Sequence, residues 1–309
     1  MTEENLIDKP LETLKPNIQR RLEFIDFRLL WNGKFNRKDL SDTFQISSQQ
    51  ASADIASYEQ RAPNNLGYDN AIKAYIRTET FNPVFLSGTP NRYLLQLVGI
   101  QSGWLSQDDT WFETPPPALE VVELKRQPIT SVQLQCVLDA IREKLEIDIE
   151  YRSINSAVCE RRWIAPHAMS YNSGRWYVRA WSEGRNDFRD FNIYRIIKVF
   201  GKRQSVIDIN LDYEWNNFVD MKLAPNPALS QESQRAVKEE YNITGEYLVK
   251  NIRLSLVFYL MNEYNLDVEE DKLNPHKQQL VLLNKDEIEN ARRVARKMSE
   301  DALKRIVKS

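Results

Sequence analysis

The residues best suited to chemistry in this sequence are arginines interleaved with aromatic residues between positions 161 and 196. The arginines that fall in β-prone sequence here are Arg162, Arg175, Arg179, Arg189 and Arg195. Residues 172–174 and 183–186 predict tight turns, so we expect three antiparallel strands in this stretch.

The alternation of side chains on these strands predicts which arginines share a surface. On the middle strand, Tyr177 and Arg179 point one way and Val178 points the other. On the next strand, Arg189 and Phe191 share a face. Two neighbouring strands would then offer guanidinium groups beside rings, a surface suited to a flat anion because guanidinium binds phosphate or carboxylate bidentately and rings stack on bases. The alternative is that these arginines form only the solvated face of an antiparallel sheet.

The N-terminal part of the chain predicts a helix-turn-helix. Apolar positions recur at helical spacing from Ile18 and end near Gly33. A short helix follows with Asn36 as its N-cap, and after a tight turn Ser47 caps a helix that runs to about Arg61. Two helices joined by so short a turn are typical of proteins whose second helix enters the major groove of DNA.

The second helix of this pair would bury Ala51, Ile55 and Tyr58 and turn small and amide side chains outward near its N-terminus. Gln can pair bidentately with adenine, and Ser can meet a thymine methyl group. Nearby cations could contact phosphates, which position a protein without specifying the sequence. The residues expected to bind DNA are Arg20, Arg37, Lys38, Ser47, Ser48, Gln49, Gln50, Ser52 and Lys73. The alternative is a structural helix cluster with no role in DNA binding.

The sequence after these helices predicts a wing and then a connection. Residues 66–76 predict a β-hairpin with an Asp-Asn turn. A further helix begins at Thr89 and Pro90 and ends at Gly103. Residues 104–118 include three consecutive prolines and predict a stiff connection, so we expect a domain boundary there.

Composition and spacing exclude several functional classes. With 42% hydrophobic and 28% charged residues and no long apolar run, the chain is expected to be soluble and without a membrane span. Its acidic, polar N-terminus and only two cysteines favour the cytoplasm. His167 and His276 lack metal-ligand spacing, and no phosphate loop or nucleophile motif occurs, so we expect no metal, no cofactor and no enzyme activity. The net charge of −2 does not itself indicate nucleic-acid binding, although a local basic patch would suffice.

The arginine-rich stretch resembles a WYL domain, most closely that of the BrxR/CapW-type regulators found beside bacterial phage-defence systems. The matching runs are Arg162-x-x-x-Pro166-His167, Arg175-Trp176-Tyr177-Val178-Arg179-Ala180 and Phe188-Arg189-Asp190-Phe191-x-x-x-Arg195-Ile196. Val178 stands where the family name has Leu. The resemblance implies a small, strongly bent SH3- or Sm-like sheet with a ligand face formed by Tyr151, Ser153, His167, Tyr177, Arg179, Arg189, Phe191 and Arg195. Arg195 could instead anchor the sheet through a buried ion pair.

The sequence beyond residue 203 predicts a third domain, which in the resemblance is a dimerising extension. We expect a short helical piece with Trp215 and Phe218, a helix over 252–264, a strand over 279–283 and a helix over 286–307. The expected fold is therefore α+β. Its parts are a winged helix-turn-helix at 1–86, a helical linker at 87–118, a WYL ligand-sensing domain at 119–203 and a C-terminal α/β extension and dimerisation domain at 204–309.

These expectations favour a homodimeric transcription repressor of a phage-defence locus. Its partners would be double-stranded DNA with an inverted-repeat operator, a second copy of the chain, and an anionic nucleotide or nucleic-acid effector in the WYL domain. The alternative is a nucleic-acid-sensing adaptor within a defence complex that binds no operator itself. An enzyme acting on nucleic acid is disfavoured because the sequence lacks a catalytic set.

Overall fold

The chain forms two structural units in the computed structural model, residues 1–124 and residues 125–309. The structure describes residues 14–86, 90–113, 115–154, 158–269 and 272–306. Thr89, the predicted start of a helix, lies outside these residues. None of the helices in the described ranges is long and apolar enough to cross a bilayer.

The first unit is a helix-turn-helix followed by a small antiparallel sheet. Its elements are α1 (Pro16–Asn32), β1 (Lys34–Phe35), α2 (Arg37–Phe44), α3 (Ser48–Arg61), β2 (Leu66–Asp69), β3 (Ala74–Arg77) and α4 (Pro90–Gln101). The strand order is β1-β3-β2, so the predicted hairpin gains a third strand. The sequence did not predict β1 because two residues are too few to show alternation.

Local capping chemistry fixes where these helices begin and end. α1 stops at Gly33, which adopts a φ of 75° that suits glycine. Asn36 starts α2 by accepting a hydrogen bond from the backbone N–H of Asp39, whose carboxylate accepts one from the backbone N–H of Asn36. Ser47 starts α3 by accepting a hydrogen bond from the backbone N–H of Gln50. The predicted caps at Asn36 and Ser47 and the predicted end near Gly33 are confirmed.

The core of this unit contains a buried carboxylate, that of Asp26. It accepts hydrogen bonds from the backbone N–H groups of residues 84–86 at 2.5–2.9 Å and from the Tyr58 hydroxyl at 2.5 Å. Burial raises the pKa of Tyr58, and the bond to Asp26 raises it further. Four donors to one carboxylate thus tie the chain that leaves the wing to the middle of α1.

The segment after α4 packs back onto α1. Phe112 is 7% exposed, and the ring of Trp111 makes edge contacts with Phe24 and Phe27 at centroid distances of 5.8 and 5.7 Å. The prediction of a stiff connection is therefore wrong for residues 104–113, because two aromatic side chains find apolar partners within the unit.

The second unit opens with α5 (Ser131–Glu143) and a five-stranded antiparallel sheet. Its strands are β4 (Leu145–Tyr151), β5 (Glu160–Asn172), β6 (Arg175–Ser182), β7 (Asp187–Asn192) and β8 (Ile196–Gln204), in the order β7-β6-β5-β4-β8. The register shifts between Pro166 and Ala168 and twice along β4, and such bulges bend a sheet. α5 covers one face, where it forms a core with residues from all five strands or their ends.

The remaining elements form a second small sheet with helices. They are α6 (Tyr213–Asn216), β9 (Phe218–Pro225), α7 (Gln231–Glu240), β10 (Leu248–Arg253), α8 (Val257–Glu263), β11 (Leu280–Leu282) and α9 (Lys285–Ile306), with strand order β10-β9-β11. The predicted helix over 252–264 is wrong in its first part, since β10 continues to Arg253 and α8 starts only at Val257. Phe218 likewise begins a strand, in which Val219, Met221 and Leu223 alternate toward the core.

Candidate nucleic-acid interface and sensor sheet

The N-terminal part of α3 presents a polar surface on a well-packed helix. Ala51, Ile55 and Tyr58 are at most 2% exposed and hold one side of α3 against the core, as predicted. Ser48 and Gln49, on the opposite side, are exposed. The turn that positions them depends on Gln45, which takes the left-handed conformation with φ 51° and ψ 45°. The geometry is that of a helix whose first turn can enter a DNA major groove.

Gln49 and Gln50, at this end of α3, differ in whether the side chain is hydrogen-bonded within the protein. Gln50 donates a hydrogen bond to the buried carboxylate of Asp54 at 3.0 Å, and Arg21 binds the same carboxylate through Nε at 2.6 Å and Nη2 at 3.1 Å. Gln49 makes no side-chain hydrogen bond with any residue in the described ranges. Gln49 therefore keeps both its donor and its acceptor for a partner, whereas Gln50 is held by the protein.

The candidate phosphate contacts are spread over three elements. Arg20 on α1, Arg37 and Lys38 on α2, and Lys73 in the β2–β3 turn are all exposed. Arg37 also donates to the Ser52 hydroxyl at 3.0 Å, which links α2 to α3. Because cations that surround a reading helix meet the backbone of the duplex, this arrangement suits DNA.

The second candidate site surrounds Arg179 on β6, which is buried with 4% of its side chain exposed. Its Nε and Nη2 bind the Asp212 carboxylate at 2.7 and 2.9 Å, and Glu214 and Asp190 each lie 3.5 Å away. Burial lowers the pKa of Arg179, but the surrounding carboxylates outweigh it and the pKa is raised. Arg179 is thus fully engaged by acidic groups of its own chain.

Two carboxylates in this network have pKa values displaced in opposite directions. For Asp212, burial raises the pKa, but hydrogen bonds from Arg179 and His167 outweigh it and hold the pKa below its usual value. For Asp190, burial dominates, and the pKa stays raised although Arg179 and the Tyr259 hydroxyl oppose the rise. The Tyr259 hydroxyl donates to Asp190 at 3.0 Å. Only Asp212 is therefore well compensated as an anion.

Arg179 and Arg189 lie on opposite faces of the sheet. In the register of β6 and β7, Arg179 stands opposite Asp190, whereas Arg189 stands opposite Ala180. Directly opposed residues share a face, and the neighbours Arg179 and Ala180 point opposite ways. The predicted surface with arginines from two adjacent strands side by side is therefore wrong for this pair.

The other predicted ligand contacts fall into two groups. Tyr151 and Phe191 are 7% and 1% exposed and meet edge to face in the core at 5.1 Å, so packing occupies both rings. His167 is also enclosed, with Nε2 at 3.0 Å from Asp212. The predicted residues that remain partly accessible are Ser153, Tyr177, Arg189 and Arg195.

The accessible arginines are held differently from Arg179. Arg189 pairs with Asp187 at the edge of the sheet, and 39% of its side chain is exposed. Arg195 makes no ion pair with any residue in the described ranges, so the alternative of an Arg195 anchor is not what the structure contains. Its backbone oxygen accepts a hydrogen bond from Arg152 N at 3.0 Å, which brings Arg195 near Ser153.

Sequence reasoning missed the buried acidic residues of this unit. Glu146 and Asp148 on β4 are 2% and 4% exposed and pair with Arg203 and Arg161. Both faces of β4 are therefore largely buried, one of them through these ion pairs. Oppositely charged residues on neighbouring strands were the available signal, but their use needs the strand order.

Models of three protein domain families match successive parts of this chain. The model of the BrxR transcriptional regulator winged helix-turn-helix domain matches residues 17–99. The WYL domain model matches residues 133–200, and the BrxR transcriptional regulator C-terminal dimerization domain matches residues 218–288. The chain is also 35% identical to a DNA-binding transcriptional repressor CapW from Pseudomonas aeruginosa, over 88% of this chain and 91% of that protein. The chain belongs to the BrxR/CapW family.

Further CapW relatives extend this result. Those from Escherichia coli and Stenotrophomonas maltophilia are each 33% identical, and the matches cover 87% and 91% of this chain and 90% and 92% of theirs. All of these relatives are described as DNA-binding transcriptional repressors, and the family is not one of enzymes. The resemblance drawn from the sequence, and the order of winged helix, WYL domain and C-terminal dimerisation domain, are confirmed.

Proposed function

We propose that this BrxR/CapW-family chain is a homodimeric transcription repressor that binds an inverted-repeat operator at a phage-defence locus in the cytoplasm. The observation that carries the proposal is the first turn of α3, where Ser48 and an unengaged Gln49 project from a helix locked by its buried side. The CapW relatives, which are DNA-binding repressors, support the same function.

Specificity would come mainly from Gln49. A free carboxamide can donate to and accept from adenine at once, and such a bidentate pair discriminates against a wrong base by about 1–3 kcal/mol. Gln50, held by Asp54, would contribute through its remaining acceptor. The exposed cations Arg20, Lys38 and Lys73 would set affinity and its dependence on salt.

The test is binding of the purified chain to the DNA upstream of its own gene, followed by fluorescence anisotropy at several salt concentrations. We expect Gln49→Ala to weaken binding about 5- to 150-fold, the equivalent of losing one bidentate base contact. Gln60→Ala is the matched control, because Gln60 is exposed at the far end of α3. Lys73→Ala should weaken binding to all sequences and reduce the salt slope by about one.

Equal binding by the Gln49→Ala and Gln60→Ala variants would remove α3 as the reading helix. Absence of salt-dependent binding to any fragment would favour the adaptor function instead. Dimerisation enters the same experiment, since two half-sites read by a symmetric dimer lie about 34 Å apart or a multiple of that. Insertion of about half a helical turn between the half-sites should therefore abolish high-affinity binding.

We further propose that an anionic nucleotide or nucleic-acid fragment binds the WYL sheet and changes operator affinity. Arg189 and Arg195 are the candidate contacts with accessible guanidinium groups. Tyr177 is a partly accessible ring, but it shares the face of Arg179 and not that of Arg189. Arg179 would act indirectly, since its side chain joins the sheet to the segment that leads into the C-terminal domain. A ligand shifts such an equilibrium only if it binds one dimer arrangement more tightly than the other.

Operator release by mononucleotides and by short single-stranded oligonucleotides tests this sensor role. Arg189→Ala should abolish release by whichever probe is active and should leave operator binding without the probe unchanged. Arg185→Ala is the matched control, because Arg185 is an exposed arginine in the turn just before β7. Normal release from the Arg189→Ala variant would exclude this position as a contact.

A further inference from the structure

A cavity in the winged-helix unit lies apart from the first turn of α3. It is lined by residues of α1, of α4 and of the segment after α4, and its volume is about 70 Å³. A cavity of about 10–15 Å³ holds one water, so this cavity has room for roughly five waters or one six-membered ring. It is too small for a nucleotide.

Aromatic rings form the walls of this cavity. Trp31 and Tyr93 lie with ring centroids 4.7 Å apart and planes inclined by 31°, and Phe27 meets Trp111 edge to face at 5.7 Å. All four line the cavity. A flat ring that entered would meet both ring faces and ring edges, an arrangement that aromatic pairs favour by about 0.5–1.5 kcal/mol beyond burial.

Polar groups without partners stand at the open side of the cavity. Arg20 and Arg92 both line it and both are exposed, so their guanidinium groups reach solvent there. Neither side chain, nor that of the half-buried Gln96 beside them, makes a hydrogen bond or ion pair with a residue in the described ranges. Asp109 also lines the cavity, and two arginines against one carboxylate leave its mouth positive.

We propose that this cavity binds a small single-ring aromatic anion, a carboxylate or a phosphate ester. The ring occupies the cavity beside the contacting rings of Trp31 and Tyr93 and against Trp111. Its anionic group pairs with Arg92 and Arg20. Besides the rings, this cavity is lined by two guanidinium groups and an amide that have no partner among the described residues. Guanidinium binds both carboxylate and phosphate bidentately, so the two anions share one recognition chemistry.

The site bears on DNA binding because Arg20 is also a candidate phosphate contact. An anion held by Arg20 competes with the DNA backbone for the same cation. Occupation of the cavity is therefore expected to weaken operator binding, but ligand binding itself does not depend on the proposed function and is measured without DNA.

The experiment is calorimetric titration of the full chain with benzoate and, in a second arm, with phenyl phosphate. At least one of the two should bind with a Kd of about 1 mM or below, a strength within reach of so few atoms. Two probes separate the contributions: cyclohexanecarboxylate keeps the charge without the aromatic ring, and benzamide keeps the ring without the charge. Both should bind at least about tenfold more weakly than benzoate, a difference of about 1.4 kcal/mol.

Variants locate the site. Arg92→Glu and Arg20→Glu should each weaken binding of the active anion at least about tenfold, since each replaces attraction by repulsion. Lys34→Glu is the matched control in the same unit, because Lys34 is exposed but does not line the cavity. Normal melting temperatures are expected for all three variants, because the substituted side chains are exposed.

Two results would overturn the proposal. One is the failure of both anions to bind at concentrations of about 10 mM, roughly ten times the expected Kd. The other is binding that is equal for cyclohexanecarboxylate and benzoate or unchanged by Arg92→Glu, because it would then be unspecific or located elsewhere.

Discussion

The outward face of α3 is exposed to solvent, but the second face of β6, which points away from α5, is largely buried. On α3, the side chains that helical spacing turns away from the core, such as Ser48 and Gln49, are exposed. On β6, the side chains that strand alternation turns away from the α5 core include Arg179 and Trp181, of which only 4% and 6% is exposed. The first face is open to a partner, whereas the second is filled around these two residues.

The difference in exposure arises because segments that come later in the sequence pack against this face of β6. Trp181 packs with Phe188 and Leu303, and Leu303 belongs to α9 more than a hundred residues downstream. Arg179 meets Asp212, which precedes α6. Periodicity shows which residues share a face, but whether that face is exposed to solvent depends on segments that are distant in sequence.

Polar residues therefore have different roles in the two regions. Gln49 is free to read a partner, but the polar groups on the second face of β6 hold the sheet to the segment around α6. Arg179 is therefore a coupling element between the sheet and the segment around α6, whereas Gln49 on the first turn of α3 is a candidate contact.

The largest effect should come from removing the centre of the buried network. Arg179→Ala leaves Asp212, Asp190 and Glu214 without their shared cation, and breaking a buried pair in this way costs about 3–5 kcal/mol. We expect a corresponding fall in the urea midpoint of the full chain. Hydrogen exchange should show that the loss of protection is centred on β6 and α6.

Arg185→Ala provides the control for that variant, since its side chain is exposed two residues before β7. Similar urea midpoints for the two variants would contradict the contrast between the regions, because Arg179 would then behave as a surface residue. The Arg179→Lys variant should recover only part of the loss, since lysine keeps the charge but not the bidentate geometry.

A smaller effect is expected at the buried carboxylate of the first unit. Asp26→Asn keeps one acceptor but sets an N–H group among four donors, including the Tyr58 hydroxyl. We expect a loss of about 1.5–3 kcal/mol, the range for hydrogen bonds to a charged group. Asp42→Asn, an exposed position on α2, should change the unfolding free energy little. If Asp26→Asn lost more unfolding free energy than Arg179→Ala, the expectation that the buried network around Arg179 contributes more to stability than Asp26 would be wrong.

Much of the winged-helix unit could be predicted from sequence because its signals are local. Asn36 and Ser47 cap helices through atoms three residues away, and the buried side of α3 follows from spacing alone. Asp26 could not be identified in this way, since the backbone donors it serves lie about sixty residues downstream. The same limit applies to Trp111, whose apolar partners belong to α1.

For the five-stranded sheet of the second unit, the sequence predicted strands but not which of their faces are buried. The turns that flank β6 were recognisable from residues 172–174 and 183–186, and the WYL resemblance implied a small, strongly bent sheet. The expected buried ion pair exists, but it belongs to Arg179 and not to Arg195. That assignment needed the position of Asp212, on a segment whose contact with the sheet no short-range pattern encodes.

The smallest expected effect distinguishes Asp212 from Asp190, two carboxylates that both pair with the guanidinium group of Arg179. The pKa of Asp212 is lowered, so its stabilising contribution is present above the ordinary aspartate pKa and is lost as the pH falls through the lowered value. The pKa of Asp190 is raised, so its contribution is present in acid and is lost as the pH rises through the raised value. At neutral pH, Asp212 therefore stabilises the fold as an anion, whereas the raised pKa of Asp190 means that its ionisation opposes folding.

Asp190→Asn should therefore leave the unfolding free energy at neutral pH unchanged or raise it, and any gain should vanish in acid. Asparagine can still accept the hydrogen bond from the Tyr259 hydroxyl, so the substitution removes little besides the charge. Asp212→Asn should instead destabilise at neutral pH. Asp267→Asn is the control for both, because Asp267 is exposed just after α8. Urea denaturation at several pH values measures all three. Destabilisation of the Asp190→Asn variant at neutral pH would mean that Arg179 needs both carboxylates, and the second face of β6 would then be a closed ionic core in which no charge is in excess.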